Sequence, residues 1–209
     1  MQTAKRAVII PAYNEEANLG HVLRSLADLE GCQVIVVNDG STDGTSRIAQ
    51  SWGVQVIDLP QNIGKGGAMR QGALHTDADI LLFLDADLLG LTTEHVYSLL
   101  EPVARGEADM TIGLFDEGRL ATDLAQKIAP FLSGQRAIRR ELLLDIPQME
   151  KSRYGVEVAL SKYAENKGLK IKKVVLKDCS QVLKEEKQGV WKGFGARLKM
   201  YWEILKSLA

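Results

Sequence analysis

Cysteine and histidine are scarce in this chain of 209 residues, which has two cysteines and three histidines. There is no C-x-x-C pair, so we expect neither a disulfide framework nor a cysteine-rich zinc site, and a reduced, cytoplasmic setting is the default. The histidines are isolated, and the sequence contains neither H-E-x-x-H nor G-x-S-x-G. These absences argue against hydrolysis by a histidine-based triad.

Long apolar runs are also lacking. No stretch of about 18 apolar residues occurs, and the first residues lack the apolar segment of a signal peptide, so we expect no membrane span. Charge is unevenly spread, because residues 167–209 carry 11 basic and 4 acidic side chains whereas the preceding part is net acidic. The acidic main body argues against a nucleic-acid partner. The basic segment indicates either a lysine-covered surface helix or contact with an anionic partner, such as a membrane surface or a neighbouring subunit.

Apolar runs alternate with helix-like segments through the first 113 residues. The pattern predicts strands at 7–10, 34–37, 54–59, 80–84 and 109–113, separated by helices at 15–29, 43–52, 64–74 and 93–105. Because these strands are apolar throughout rather than alternating, they indicate an α/β fold whose mostly parallel sheet is covered on both faces. Further on, the pattern predicts a helix at 122–129, a turn, strand and helix start at 133–143, a helix at 154–168, a strand at 169–176 and an amphipathic terminal helix at 189–209.

Polar groups follow three of the predicted strands, and in an open parallel sheet ligands bind outside the carboxyl ends of the strands. Asp85-Ala86-Asp87 comes directly after a fully apolar strand. Two carboxylates beside a buried strand repel each other and resist desolvation, and a divalent cation removes that cost. Oxygen ligands suit Mg²⁺ or Mn²⁺, which would neutralise a departing diphosphate. The alternative is a solvated loop that caps the next helix.

Two further loops belong to the same predicted edge. Asn38 and Asp39 end the second strand, where an acceptor could take a base N–H or a ribose hydroxyl, while the following residues form a turn and a helix cap. Asn62–Gly67 resembles a phosphate-binding loop, in which glycines let the backbone approach an anion and Lys65 supplies charge. It matches neither a Walker motif nor a complete dinucleotide fingerprint, and a flexible helix entry is the alternative.

Four segments in order, VIIPAYNEEANL, VIVVNDGSTDGT, NIGKGGAMRQGA and ILLFLDADL, closely resemble the family 2 glycosyltransferases with the GT-A fold. The resemblance covers roughly residues 5–115 and is greatest to small soluble members related to dolichyl-phosphate mannosyltransferase and to glucosyl-3-phosphoglycerate synthase. It implies transfer of a sugar from a UDP- or GDP-sugar, with Mg²⁺ or Mn²⁺ as cofactor. The acceptor is unidentified, with small phosphate-bearing molecules and lipid phosphates as candidates.

The resemblance also implies roles for individual residues. Those expected to bind the nucleotide sugar are Pro11, Ala12, Tyr13, Glu15, Asn38, Asp39, Lys65, Asp85, Ala86, Asp87 and Arg139. In the segment Ser133–Arg140, Arg136 or Arg139 would hold an anionic acceptor or the leaving diphosphate. Asp87, Arg136 and Glu157 are the expected catalytic residues. Glu157 would orient an acceptor hydroxyl or act as base, although the electrostatics of a helix start explain it equally well.

Two positions depart from the family pattern. Leu89 stands where lipid-phosphate transferases commonly have glutamine, and Gln181 stands where related enzymes offer a late histidine. The expected metal ligands are therefore Asp85, Asp87 and Gln181, with water completing the shell. Two rival functions stay open, a sugar nucleotidyltransferase and a non-catalytic nucleotide-sugar sensor. The first rival would need a basic glycine-rich loop after the first strand, where this chain has PAYNEE.

With this resemblance, we expect a single GT-A domain over residues 1–209, built on a doubly wound, mixed but mostly parallel sheet. Residues 1–115 would form the nucleotide-binding half, 116–188 the acceptor-side half and 189–209 the terminal amphipathic helix. For that helix, packing on the core, dimerisation and peripheral membrane contact are the alternatives.

Overall fold

The computed structural model describes residues 4–116, 133–147, 149 and 155–182. The predicted helices at 122–129 and 189–209 lie outside the described residues, so the alternatives for the terminal helix stay predictions. Within the described ranges, no helix combines the length and the apolar character that crossing a bilayer requires.

The first half of the chain alternates strands and helices as the pattern predicts. Its elements are β1 (Arg6–Ala12), α1 (Leu19–Ser25), β2 (Cys32–Asn38), α2 (Thr45–Ser51), β3 (Gln55–Asp58), α3 (Lys65–Leu74), β4 (Ile80–Phe83), β5 (Leu88–Leu89), α4 (Thr93–Ala104) and β6 (Met110–Phe115). The second half adds β7 (Arg136–Arg139), α5 (Arg140–Leu144), α6 (Val156–Asn166), β8 (Ile171–Leu176) and β9 (Ser180–Gln181).

Seven strands form the main sheet in the order β3-β2-β1-β4-β7-β6-β8. The first four run parallel to one another, β7 runs antiparallel to β4 and β6, and β6 and β8 are parallel. The predicted α/β class with a mixed, mostly parallel sheet is confirmed. Because β7 is reversed, its first residue, Arg136, lies opposite Phe83 at the carboxyl end of β4. Residues just before β7 therefore reach the same edge as the DAD segment.

Both faces of the sheet are covered, which explains why the strands are apolar throughout. Successive side chains point to opposite faces of a strand. Val8 and Ile10 of β1 pack with α1 and α4 on one face. Ala7 and Ile9 pack with α3 and α6 on the other.

Helix α1 is shorter than the predicted helix 15–29. The carbonyl of Glu15 accepts the N–H groups of Asn18 and Leu19, so the chain makes a turn before the helix begins. At the other end, Leu26 keeps its place in the core from the turn that follows α1. The helical spacing of the leucines therefore extends beyond the helix itself.

Candidate functional site

An ion cluster lies at the carboxyl edge of β4. The ammonium of Lys65 at the start of α3 lies 2.5 Å from Oδ1 of Asp85. The same ammonium lies 2.6 Å from Oε1 of Glu157, in the first turn of α6. A strand end and two helix starts, from distant parts of the chain, thus meet at one lysine.

Two glutamine amides hold the second oxygen of Asp85. Buried Gln135 donates to Oδ2 at 2.8 Å, and its own Oε1 accepts from Ser133 at 3.0 Å. Gln181 donates to the same Oδ2 and also to Oδ1 of Asp87 at 3.3 Å. The short strand β9, which pairs with β5, carries Gln181 to this position. Asp85, Asp87 and Gln181 therefore lie together in the structure, and their role as metal ligands stays a prediction.

Charge outweighs burial at both ends of the Lys65–Asp85 pair. Burial lowers the pKa of Lys65, but the carboxylates of Asp85 and Glu157 outweigh it and raise that pKa above its ordinary value. Burial raises the pKa of Asp85, but Lys65 and the two glutamine amides outweigh it and lower that pKa. Both groups are consequently charged at neutral pH.

Gly134 leaves the space that this ion pair occupies. A Cβ placed on Gly134 would lie 2.5 Å from Nζ of Lys65 and 2.5 Å from Oδ2 of Asp85. Both atoms belong to charged groups that are held by several partners. A side chain at this position would therefore have to displace the pair.

Arg136 lies behind the cluster and supports it. The residue is 1% exposed, its Nε donates to the carbonyl of Ser133 at 2.8 Å and its Nη1 donates to Ser161 at 2.9 Å. Burial lowers its pKa to about 10, an effect that nearby Glu157 and Asp85 partly counter, so the guanidinium stays charged at neutral pH. Its hydrogen bond to Ser133 thus stabilises the backbone segment that includes Gly134 and Gln135.

Arg139 does not join this cluster. It lies opposite Ile80, at the other end of β4, and its guanidinium is 3.7 Å from the carboxylate of Asp109. The expectation that Arg139 binds the nucleotide sugar disagrees with this placement. The reason is the antiparallel course of β7, which carries its last residue away from the edge where its first residue lies.

Asp39 is used inside the protein. Its two carboxylate oxygens accept the backbone N–H groups of Ile63 at 2.8 Å and Gly64 at 3.0 Å. Burial raises its pKa, and these two hydrogen bonds counter part of that rise. Asp39 therefore shapes the loop before α3, and its expected contact with base or ribose stays a prediction. Asn38 is likewise engaged, because its amide donates to Asp58 at 2.7 Å.

Hydrogen bonds join the loop after β1 to the loop after β2. Asn14 has a φ of 55°, its N–H donates to Ser41 at 3.0 Å, and its side-chain oxygen accepts from the N–H of Thr42 at 2.9 Å. Glu16 accepts from the N–H of Gly44 at 2.9 Å. Tyr13, which precedes Asn14 in the loop after β1, is 47% exposed.

The remaining residues expected to bind the nucleotide occupy different environments. Pro11 is a half-buried residue of β1, and Glu15 is half-buried in the turn before α1. Ala12 and Ala86 are buried in the core. Only Tyr13 of these therefore presents a largely exposed side chain.

Sequence reasoning missed Asn14 and Gln135. Asparagine is among the few residues that adopt a left-handed backbone readily, and Asn14 follows a strand end, which was a usable signal. Gln135 carries no such signal, because its partner Asp85 is 50 residues away.

The donor set at this edge fits a divalent cation that keeps other ligands. Among the described residues, no group of three or more His, Cys, Asp and Glu side chains could hold a metal. Asp85, Asp87 and the amide of Gln181 do lie together, and a half-turn of that amide would present its oxygen. Mg²⁺ is usually held by one or two carboxylates together with substrate phosphates and water. The site thus suits an ion bound with a diphosphate rather than a closed protein cage.

A curated protein is similar to part of the chain. The 4,4'-diaponeurosporenoate glycosyltransferase of Staphylococcus aureus is 40% identical over 99 residues, which are 44% of this chain. The match spans 26% of that relative's length.

Solved structures extend the similarity to most of the chain. The glucosyl-3-phosphoglycerate synthase of Mycobacterium tuberculosis, crystallised with Mn²⁺, UDP and glucosyl-3-phosphoglycerate, has a TM-score of 0.76 and 27% identity, covering 98% of this chain and 78% of its own. A complex of the same synthase with Mn²⁺, UDP-glucose and phosphoglyceric acid has a TM-score of 0.70 and 29% identity, covering 86% and 72%.

The family comparison covers more than half of the chain, since residues 7–163 match the family described as Glycosyl transferase family 2. The match includes the strand ends, the Lys65 loop, the DAD segment and Glu157. Together with the seven-stranded mixed sheet, it confirms the resemblance seen in the four sequence segments. The chain belongs to glycosyl transferase family 2 and has the GT-A fold.

Proposed function

We propose that this protein transfers a sugar from a nucleoside-diphosphate donor, a UDP- or GDP-sugar, to an acceptor that carries a phosphate. One observation carries the proposal: Asp85, Asp87, Lys65 and Glu157 converge at the carboxyl edge of the parallel strands. This is the edge at which open α/β sheets bind their ligands.

The donor side consists of the two aspartates and the lysine. Bound beside Asp85 and Asp87, Mg²⁺ or Mn²⁺ would supply Lewis-acid charge to the leaving diphosphate. The ammonium of Lys65 adds a positive charge at the same place, in a position fixed before the reaction begins. The Mn²⁺ complexes of the similar mycobacterial synthase with UDP and with UDP-glucose support this role.

The acceptor side centres on Glu157. Its contact with Lys65 fixes the position of the side chain at the start of α6. A carboxylate in this position can orient an acceptor hydroxyl and accept its proton as the hydroxyl attacks the sugar. We infer a phosphate-bearing acceptor because the similar synthase was crystallised with phosphoglyceric acid. An acceptor whose attacking group is itself a phosphate would need no base.

The test is a turnover assay with a panel of UDP- and GDP-sugars. Each donor is combined with phosphoglyceric acid or with vesicles containing a polyprenyl phosphate, in Mn²⁺ or in EDTA. We expect release of nucleoside diphosphate that requires both metal and acceptor, with the glycosylated product seen by mass spectrometry. Appearance of product only with the vesicles would identify a lipid-phosphate acceptor instead of a small molecule.

Matched variants locate the reaction. Asp87→Asn should lower turnover by about 10²-fold or more, because it weakens the hold on the cation that would stabilise the leaving diphosphate. Asp77→Asn is the control, since Asp77 forms an exposed ion pair with Lys5 away from the site. Pyrophosphate release from a nucleoside triphosphate and a sugar phosphate would establish the nucleotidyltransferase instead. Donor binding without turnover on any acceptor would establish the sensor.

A further inference from the structure

We propose that Lys65 is a built-in counter-ion that competes with the divalent cation for Asp85, and that the donor diphosphate relieves this competition. The inference rests on the proposed function for the identity of the cation and the diphosphate. It assigns to Lys65 a task beyond contact with the donor, namely to keep the metal site weak until the donor arrives.

Both carboxylate oxygens of Asp85 already have partners. Lys65 takes Oδ1 at 2.5 Å, and the amides of Gln135 and Gln181 take Oδ2. A cation that binds Asp85 must therefore displace one of these donors. Displacing Lys65 removes a like charge from the place where the cation binds, whereas displacing an amide leaves that charge there.

The donors to Asp85 differ in their freedom to move. Gln135 is completely buried, and its oxygen is held by Ser133. The side chain of Lys65 is 29% exposed, and its four-carbon stem is flexible. The amide of Gln181 can turn without moving any charge. Lys65 is consequently the charged donor that can yield its place at Asp85.

Lys65 has a second partner besides Asp85. Glu157 holds the same ammonium at 2.6 Å, so a lysine that leaves Asp85 stays attached to α6. A divalent cation would then share the site with an ammonium that remains close by. A diphosphate carries the negative charge that both cations need, so cation and diphosphate should bind with positive coupling.

The experiment measures Mn²⁺ binding without nucleotide, from the electron paramagnetic resonance signal of free Mn²⁺. We expect Lys65→Met to bind Mn²⁺ about tenfold more tightly than the native protein, a typical size for a coupling between two ligands. Lys172→Met is the matched control, because Lys172 loses the same charge from an exposed pair with Glu107. Its affinity for Mn²⁺ should stay within about twofold of native, as expected for an exposed pair.

The same titration is repeated with UDP present. UDP should tighten Mn²⁺ binding by a larger factor in the native protein than in Lys65→Met, since only the native protein has a lysine that competes with Mn²⁺ for Asp85. Lys65→Arg keeps the charge and should bind Mn²⁺ as weakly as the native protein does. Circular dichroism establishes that each variant is folded. If Lys65→Met does not fold, Lys65→Gln takes its place.

An unchanged or weaker Mn²⁺ affinity in Lys65→Met overturns the inference, as does tightening of equal size in Lys65→Arg. Absence of Mn²⁺ binding in both the native protein and Lys65→Met overturns it as well. The proposed function is judged separately by the turnover assay. Sugar transfer with unchanged Mn²⁺ affinity in Lys65→Met would leave the function standing and remove the competition. Tightened Mn²⁺ affinity in Lys65→Met without transfer to any acceptor would support the competition and remove the proposed function.

Discussion

Arg136 and Arg139 stand at opposite ends of the same four-residue strand, and only Arg136 lies at the edge that holds Asp85. Antiparallel pairing places Arg136 beside Phe83 and Arg139 beside Ile80. Arg136 is almost completely buried, whereas 41% of the Arg139 side chain is exposed beside Asp109. Two arginines of one sequence motif therefore have different roles, Arg136 as a buried hydrogen-bond donor and Arg139 in an exposed ion pair.

Replacing each arginine with lysine should distinguish the two roles by their effects on stability and turnover. Lys at 136 keeps the charge but cannot make both hydrogen bonds of the guanidinium, to Ser133 and to Ser161. We expect Arg136→Lys to lower the free energy of unfolding by about 1–3 kcal/mol, the cost of leaving buried polar groups without partners. Turnover should fall as well, because the segment Ser133–Gln135 includes the glutamine whose amide donates to Asp85.

Arg139→Lys is the control in the same strand. It should change the free energy of unfolding by less than about 1 kcal/mol, as for exposed ion pairs, and leave turnover unchanged. Urea unfolding and the turnover assay measure both variants. Equal effects of the two substitutions would contradict the division between the two ends of β7.

Gly134→Ala should damage the site more than the fold. The new Cβ would meet the Lys65–Asp85 pair at 2.5 Å, and moving charged groups that have several partners costs about 1–3 kcal/mol, as overpacking does. We expect the donor kcat/KM to fall by about tenfold or more, which corresponds to about 1.4 kcal/mol of transition-state stabilisation.

Gly20→Ala is the matched substitution away from the site. Gly20 lies within α1, and its added Cβ would meet only Ile48, at 3.9 Å. Alanine should stabilise the helix by about 0.5–1 kcal/mol and leave kcat/KM unchanged. Thermal unfolding and steady-state kinetics give both quantities, and a Gly134→Ala enzyme with native kinetics would refute the packing argument.

Asn14 should act through backbone geometry as well as through its side chain. Asn14→Ala removes the acceptor of the Thr42 N–H and places alanine at a φ of 55°, so we expect a loss of about 1–3 kcal/mol and a raised KM for the donor. Asn14→Gly removes the same acceptor but accommodates the left-handed backbone. Glycine should therefore cost less than alanine in urea unfolding. Equal costs would show that the hydrogen bond alone matters, and the opposite order would contradict the backbone argument.

Cys179 should report on the strand that carries Gln181. The thiol is buried beside Ser180, and burial raises its pKa to about 11, with a backbone hydrogen bond from Ser180 offsetting part of the rise. In a Cys32→Ser background, modification of Cys179 by a thiol reagent should be slow near neutral pH. Its rate should rise about tenfold per pH unit until the pH approaches that pKa, because the thiolate is the reactive form.

The unfolded chain provides the reference for Cys179. In urea the same thiol should regain a pKa of about 8.5 and react rapidly. Cys179→Ser with Cys32 present is the complementary control. Immediate modification of native Cys179 near neutral pH would contradict the buried environment.

Strands and strand ends were predictable because their causes are local. The apolar runs at 7–10, 34–37 and 80–84 correspond to β1, β2 and β4, each displaced by only a few residues. Turn-forming residues bound these runs, so both the strands and the polar groups after them are apparent in the sequence. The strand pair β5 and β9 was not predictable, since each has two residues and its partner is about 90 positions away.

By itself, the amino-acid sequence determined the fold class, the family and the edge at which the chemistry lies, because apolar periodicity and ordered motifs are properties of neighbouring residues. Only the tertiary structure decided which polar groups meet there. The reversal of β7 separates Arg136 from Arg139, the loop before α3 takes up Asp39, and the approach of α6 places Glu157 on Lys65. Pairings of this kind depend on strand direction and helix packing, which residues far apart in the chain establish together.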